Sequence, residues 1–185
     1  MTRPRTCRGF TLIELMVSLA IAVILLVLAA PAYVSWMADA EVQSGAASVA
    51  DGIRSAQAEA VKRNGIVEFV LDPTSGSGGW QTQLQGTTTP INEAKFATGS
   101  YQSSVTATPV GATIVTFGPL GQIWTDDGTP TGKNLDGSDP ITQVIVANAN
   151  SSRPLTVLFG GAGAGVKLCD PSFNGLTPPD PKGCY

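Results

Sequence analysis

Gly9-Phe10-Thr11-Leu12-Ile13-Glu14-Leu15 is followed by an apolar run that continues to Ala30 and is broken only by Ser18, and Arg3, Arg5 and Arg8 precede it. As helix, at about 1.5 Å per residue, the stretch from Phe10 to Trp36 is long enough to cross a hydrocarbon core of roughly 30 Å. It reads as one membrane span. The arginines on its N-terminal side, with acidic residues after it, orient the N-terminus to the cytoplasm and the remainder outward. A secretory signal peptide carries its apolar core before the cleavage site and loses it. Here the small residue at a possible cut, Gly9, precedes the core, so the processed chain would keep its apolar helix. A carboxylate in lipid costs on the order of 3 kcal/mol on insertion scales, so Glu14 calls for a partner.

The string Gly9 to Glu14 resembles the prepilin signature of type IV pilins and type II secretion pseudopilins. That resemblance implies a cut by prepilin peptidase between Gly9 and Phe10, with methylation of the new N-terminal Phe10. The positive amine so created, that of a neighbouring subunit in a helical assembly, is the expected partner of Glu14. Pro31 falls where a pilin stalk often carries a proline, and a proline within a helix removes one hydrogen bond and bends the rod.

Beyond the span, Val42, Ala46, Val49, Ile53, Ala56 and Ala60 recur every three or four residues, one apolar stripe opposite Glu41, Asp51 and Arg54. Glu59 and Arg63 stand in the favourable order for an ion pair, and Asn64-Gly65 supplies a left-handed cap. The helix is predicted from about Thr11 to Arg63. After Gly65 the pattern changes to short β-branched or aromatic runs at 66–71, 80–84, 113–117, 142–146 and 155–159, bounded by Gly, Pro, Asn and Asp. Shorter pieces around Val105, Gln122-Ile123-Trp124 and Val166-Lys167-Leu168 are candidates for edge pairing, the second after the turn Gly118-Pro119-Leu120-Gly121. One antiparallel sheet or a pair of sheets follows, with a face covering the stripe.

This order of helix, strands and Cys-containing tail, together with the segments 53–64, 117–121 and 168–184, resembles the GspH/FimT family of minor pilins and pseudopilins. The implied fold is α+β and type IV pilin-like, a long N-terminal helix packed on an antiparallel β domain. Its divisions are a cleaved leader at 1–9, a transmembrane and filament-core helix at 10–36, the amphipathic half of the stalk at 37–64, and a periplasmic β-rich domain at 65–185. Cys7 leaves with the leader, so Cys169 and Cys184 remain as an even pair in a compartment where disulfides persist, and a bond between them is expected. Free thiols and a metal site are the weaker alternatives.

Composition narrows the chemistry. The 185 residues include no His, which removes the commonest general base and metal ligand. With three of its 11 Lys and Arg in the leader, the processed chain keeps 8 against 14 Asp and Glu. Neither an enzyme nor a cofactor is expected. Asp126-Asp127-Gly128 and Asp136-Gly137-Ser138-Asp139 match no calcium-loop spacing and read as turns, and Gly160 to Gly165 reads as a flexible hairpin rather than a phosphate loop. Some FimT-type proteins bind DNA through basic residues of the C-terminal region. At the matching place this chain has one Lys, Lys167, where those members carry arginines, with Lys182 in the tail and Arg153 on a neighbouring strand, too few in an acidic chain for DNA to be the expected partner, so a DNA-uptake pilin is the second alternative. The resemblance implies prepilin peptidase, other minor and major pilins or pseudopilins, and an inner-membrane assembly platform as partners. It points first to a minor type IV pilin, and in the alternative to a GspH-like minor pseudopilin.

Overall fold

A computed structural model describes residues 10–74, 78–96, 103–127, 132–160, 165–174 and 180–184. Gly9, the leader arginines, Cys7, Gly128 and the centre of the glycine-rich hairpin lie outside them. A single helix, α1, runs from Leu12 to Arg63. Thr11, in extended conformation, caps its start by accepting a hydrogen bond from the Glu14 N–H at 3.3 Å. Its end is closed by Asn64 in the left-handed conformation, φ 47°, with the Gly65 N–H donating to the Ala60 carbonyl. Asn tolerates this conformation because its short polar side chain carries less penalty there than other non-glycine residues. Pro31 sits within the helix without ending it.

Eight strands follow: β1 (Val67–Asp72), β2 (Gly79–Leu84), β3 (Pro90–Lys95), β4 (Ser103–Thr108), β5 (Ile114–Phe117), β6 (Gln143–Asn148), β7 (Leu155–Gly160) and β8 (Gly165–Cys169). They form two antiparallel four-stranded sheets, ordered β3-β2-β1-β5 and β4-β6-β7-β8. A one-turn 3-10 helix, Pro171–Phe173, begins the tail. Gln122-Ile123-Trp124 forms no strand; Ile123 makes one isolated bridge to Phe117 after the 118–121 turn. β3 carries no strand pattern in sequence, since Asn, Glu and Lys dilute it and Pro opens it. It pairs because it is an edge strand, where polar side chains face water and the missing Pro90 N–H costs least.

All six residues of the predicted stripe are fully buried. They lie against both sheets, not one, and share a core with Phe69, Leu71, Phe117, Ile141, Val144 and Val157. Burying Val42, Val49 and Ile53 alone contributes about 1.5–3 kcal/mol each. Strand alternation supplies the other side: Val67, Phe69 and Leu71 of β1 point inward, as do Val144 and Val146 of β6. Glu41 is not on the outer face with Asp51 and Arg54. It is half-buried and its Oε2 accepts from Asn148 Nδ2 at 2.9 Å, because β6 ends beside this turn of the helix.

Candidate functional site along the stalk and tail

The first half of α1 carries its apolar side chains outward. From Leu12 to Met37 every residue is exposed, whereas from Ala38 onward a buried face begins. Water cannot be the intended solvent for so long an exposed apolar helix. Two hydroxyls that would be costly in lipid are satisfied within the helix: Ser18 Oγ donates to the Leu15 carbonyl at 2.9 Å, and Ser35 Oγ to the Ala32 carbonyl at 3.0 Å.

At the N-terminal end Phe10 precedes the helix and is exposed. Glu14 falls in the first helical turn, exposed, and forms no ion pair among the described residues. Thr11 and Glu14 have the Ser/Thr-x-x-Glu spacing of a capping box. Only its first half is made, by the Thr11 hydroxyl, and a carboxylate near a helix N-terminus is favoured by the backbone dipole as well.

The second half of α1 is held to the sheets by polar contacts at intervals. Ser151 Oγ donates to Asp39 at 2.5 Å, Trp80 Nε1 to Ser48 Oγ at 3.0 Å, and Asn92 Nδ2 to Ser55 Oγ at 3.0 Å. Asp51 pairs with Arg54 on the outer face, and Glu59 pairs with both Lys62 and Arg63 at 3.0 and 2.7 Å. Hydrogen bonds from Arg63 and then Lys62 hold the Glu59 carboxyl below its usual pKa. The helix also carries two buried glycines outside the predicted stripe, Gly45 and Gly52, and Gly52 lies against Trp80 and Phe69.

Cys169, at the end of β8, is bonded to Cys184 with their Cα atoms 5.2 Å apart. The bond closes a tail that is also held by hydrogen bonds from the Asp170 N–H to the Lys182 carbonyl and from the Cys184 N–H to Asn174 Oδ1. A 15-residue closure stabilises by about 3 kcal/mol in the chain-entropy model, so Cys184→Ser should lower the melting temperature by roughly 6–12 °C while far-ultraviolet circular dichroism keeps its strand signal. An unchanged melting temperature would remove the bond from the stability of the fold.

The three sequence-nominated cations do not form one patch. Arg153 and Lys182 line a groove of about 530 Å³ beside Asp39, Gln43, Leu155 and Phe173. Lys167 does not line that groove; its ammonium donates to the Gly183 carbonyl at 2.9 Å. The acidic loops are occupied as turns. Asp136 Oδ1 accepts from Ser138 Oγ and N–H, which hold its carboxyl below the usual pKa, and Asp126 accepts from the Lys133 N–H. No group of three or more His, Cys, Asp or Glu suited to a metal occurs among the described residues. Beneath these loops lies a polar group that no motif announced. Asn134 is buried, accepts from Thr116 Oγ1 and donates to the Ile114 carbonyl, joining the loop to β5.

No curated protein matches the chain. Among solved structures it is similar to the type IV minor pilin FimU of Pseudomonas aeruginosa strain PAO1. In one crystal form the TM-score is 0.48 at 16% identity, over 80% of this chain and 97% of that one. In the other it is 0.46 at 14%, over 77% and 99%. The profile of the prokaryotic N-terminal methylation motif matches residues 4–30. That of type II transport protein GspH matches residues 45–163, from the buried half of the stalk through β7. The chain therefore belongs to the GspH family of pilin-like structural subunits and carries their N-terminal methylation motif.

Proposed function

We propose that this protein is a minor type IV pilin, a structural subunit that primes or joins a filament drawn from the inner membrane. The observation that carries the reading is the division of one continuous helix at Met37–Ala38, bare and apolar before it and buried in two sheets after it. Such a chain presents a membrane-soluble rod on a folded head, the form a subunit needs if its rod is to leave lipid and enter the core of a helical bundle. In this scheme prepilin peptidase cuts between Gly9 and Phe10 and methylates Phe10, the leader arginines keep the N-terminus cytoplasmic, and the β domain lies in the periplasm. An assembly platform and other pilins are its partners. Glu14 waits for the terminal amine of a neighbour.

Glu14→Leu tests the assignment. The variant should be processed and retained in the inner membrane, since leucine is preferred there, yet filament numbers by electron microscopy should fall to those of a strain lacking the protein. Normal numbers would remove Glu14 from assembly. The second reading, a minor pseudopilin of a type II secretion system, draws on the family profile itself. The disulfide-closed tail favours the pilus. Loss of exoprotein secretion with pili intact in a deletion strain would reverse that choice.

A further inference from the structure

Helix geometry places the β domain against a bilayer at a definite height. Counted from Leu12 at about 1.5 Å per residue, Tyr33 is about 32 Å along the axis, Trp36 about 36 Å and Asp39 about 41 Å. A hydrocarbon core of roughly 30 Å, within roughly 40–45 Å including both headgroup layers, puts Tyr33 and Trp36 among the outer headgroups. Both rings are exposed and lie 6.2 Å apart, the kind of aromatic pair that marks a membrane boundary. With a tilt of about 20°, Asp39 comes to the outer surface of the headgroup layer.

Cations line hollows that open beside this part of the stalk, the one with Lys95 extending along the helix as far as Ser48. Lys95 lines a hollow with Trp36, Met37 and Phe96, while Arg153 and Lys182 line the groove with Asp39 and Gln43. All three are exposed, and none forms an ion pair among the described residues. Carboxylates near these cations are hydrogen-bonded: Asp39 accepts from Ser151, Glu41 from Asn148, buried Asp170 from Ser172, and Asp180 from the Lys182 N–H.

We infer that the membrane-proximal rim of the β domain is a docking surface for phospholipid headgroups, with Lys95, Arg153 and Lys182 on the phosphates of the outer leaflet. The inference rests on the membrane-anchor reading above and adds to it a fixed resting pose of the head. A plane pierced by the stalk meets the cations of both hollows at once, whereas a DNA duplex lying along one of them does not. The cations flank the point where the apolar rod emerges, so the lipid surface is continuous with the span.

The test uses the full chain in nanodiscs of phosphatidylethanolamine and phosphatidylglycerol, with dodecyl maltoside micelles, which carry no phosphate, as reference. Amide hydrogen exchange in segments 92–96 and 149–155 should be on the order of fivefold slower in nanodiscs, as expected for cations held at an anionic surface. The triple variant Lys95→Gln, Arg153→Gln, Lys182→Gln should lose that protection with its β1 exchange unchanged. Equal exchange in lipid and detergent, or protection that survives the triple substitution, overturns the inference. Flotation with vesicles separates the two levels: a chain that does not float defeats the anchor itself, and one that floats with an unprotected rim defeats only the docking surface. Salt-sensitive anisotropy of labelled duplex DNA in dodecyl maltoside, lost in the triple variant and accompanied by an unprotected rim, would reassign these cations to DNA.

Discussion

Protein extracted from membranes should begin at N-methyl-Phe10, and Gly9→Val should leave all of it at precursor length. The effect is all-or-none because the cut precedes the apolar core and the small residue before it has no substitute nearby. Arg8 stands on one side of Gly9 and Phe10 on the other. Mass spectrometry of the intact protein reads both outcomes, since the loss of residues 1–9 and the gain of one methyl group are far apart in mass. A mature terminus after Ala30 would instead mean an ordinary signal peptide, and the exposed apolar half of α1 would then be absent from the working protein. The same experiment on Glu14→Leu checks that processing and assembly are separate steps.

Gly52→Leu should be the most damaging substitution in the folded head. A Cβ at this position would stand 2.6 Å from Trp80 Cδ2 and 2.8 Å from Phe69 Cε2. Those two rings stack on each other, with centroids 6.0 Å apart; the Phe69 side chain is fully buried and cannot withdraw without opening the core, and half-buried Trp80 is tied to the helix by its hydrogen bond to Ser48. Overpacking typically costs about 1–3 kcal/mol even for modest additions, and a whole isobutyl group at this contact should exceed that range. Gly52→Ala sets two effects against each other: about 1 kcal/mol gained in helix propensity, and a clash that begins at the first added carbon. The distances decide for the clash, so alanine too should destabilise. Urea unfolding of the full chain in detergent, followed by tryptophan fluorescence, should show the order wild type, Ala, Leu. Ala47→Leu, on the exposed side of the same helix, should leave the midpoint unchanged. A Gly52→Leu midpoint equal to wild type would mean that the helix and β2 are not in contact.

The rod was readable from the chain because its signals are local. A membrane-length apolar run, a stripe of period 3.6 from Val42 to Ala60 and a cap at Asn64 each depend on residues within a few turns of one another. The α1 ends at Leu12 and Arg63 agree with that reading, and so do the strands whose β-branched and aromatic residues are buried in the core. With Cys7 assigned to the expected leader, the two other cysteines pointed to the bond that joins Cys169 to Cys184.

Tertiary structure decided what depends on distant partners. β3 exists because β2 offers it an edge, not because Pro90-Ile91-Asn92-Glu93-Ala94-Lys95 prefers to be extended. Glu41 belongs to the outer face by periodicity, but Asn148, far along the chain, draws it inward with a hydrogen bond. Gly52 is required because Phe69 and Trp80, distant in sequence, occupy the space that a side chain there would fill. Arg153 and Lys182 meet in one groove, while Lys167, between them in sequence, is held by the tail, since which side chains converge is set by sheet register and the disulfide rather than by spacing. The sequence by itself therefore determined the rod, its solvent and its period, properties of neighbours along the chain. Only the folded structure determined which polar groups are engaged and which stay exposed on the head, because that depends on residues brought together by burial of a common core.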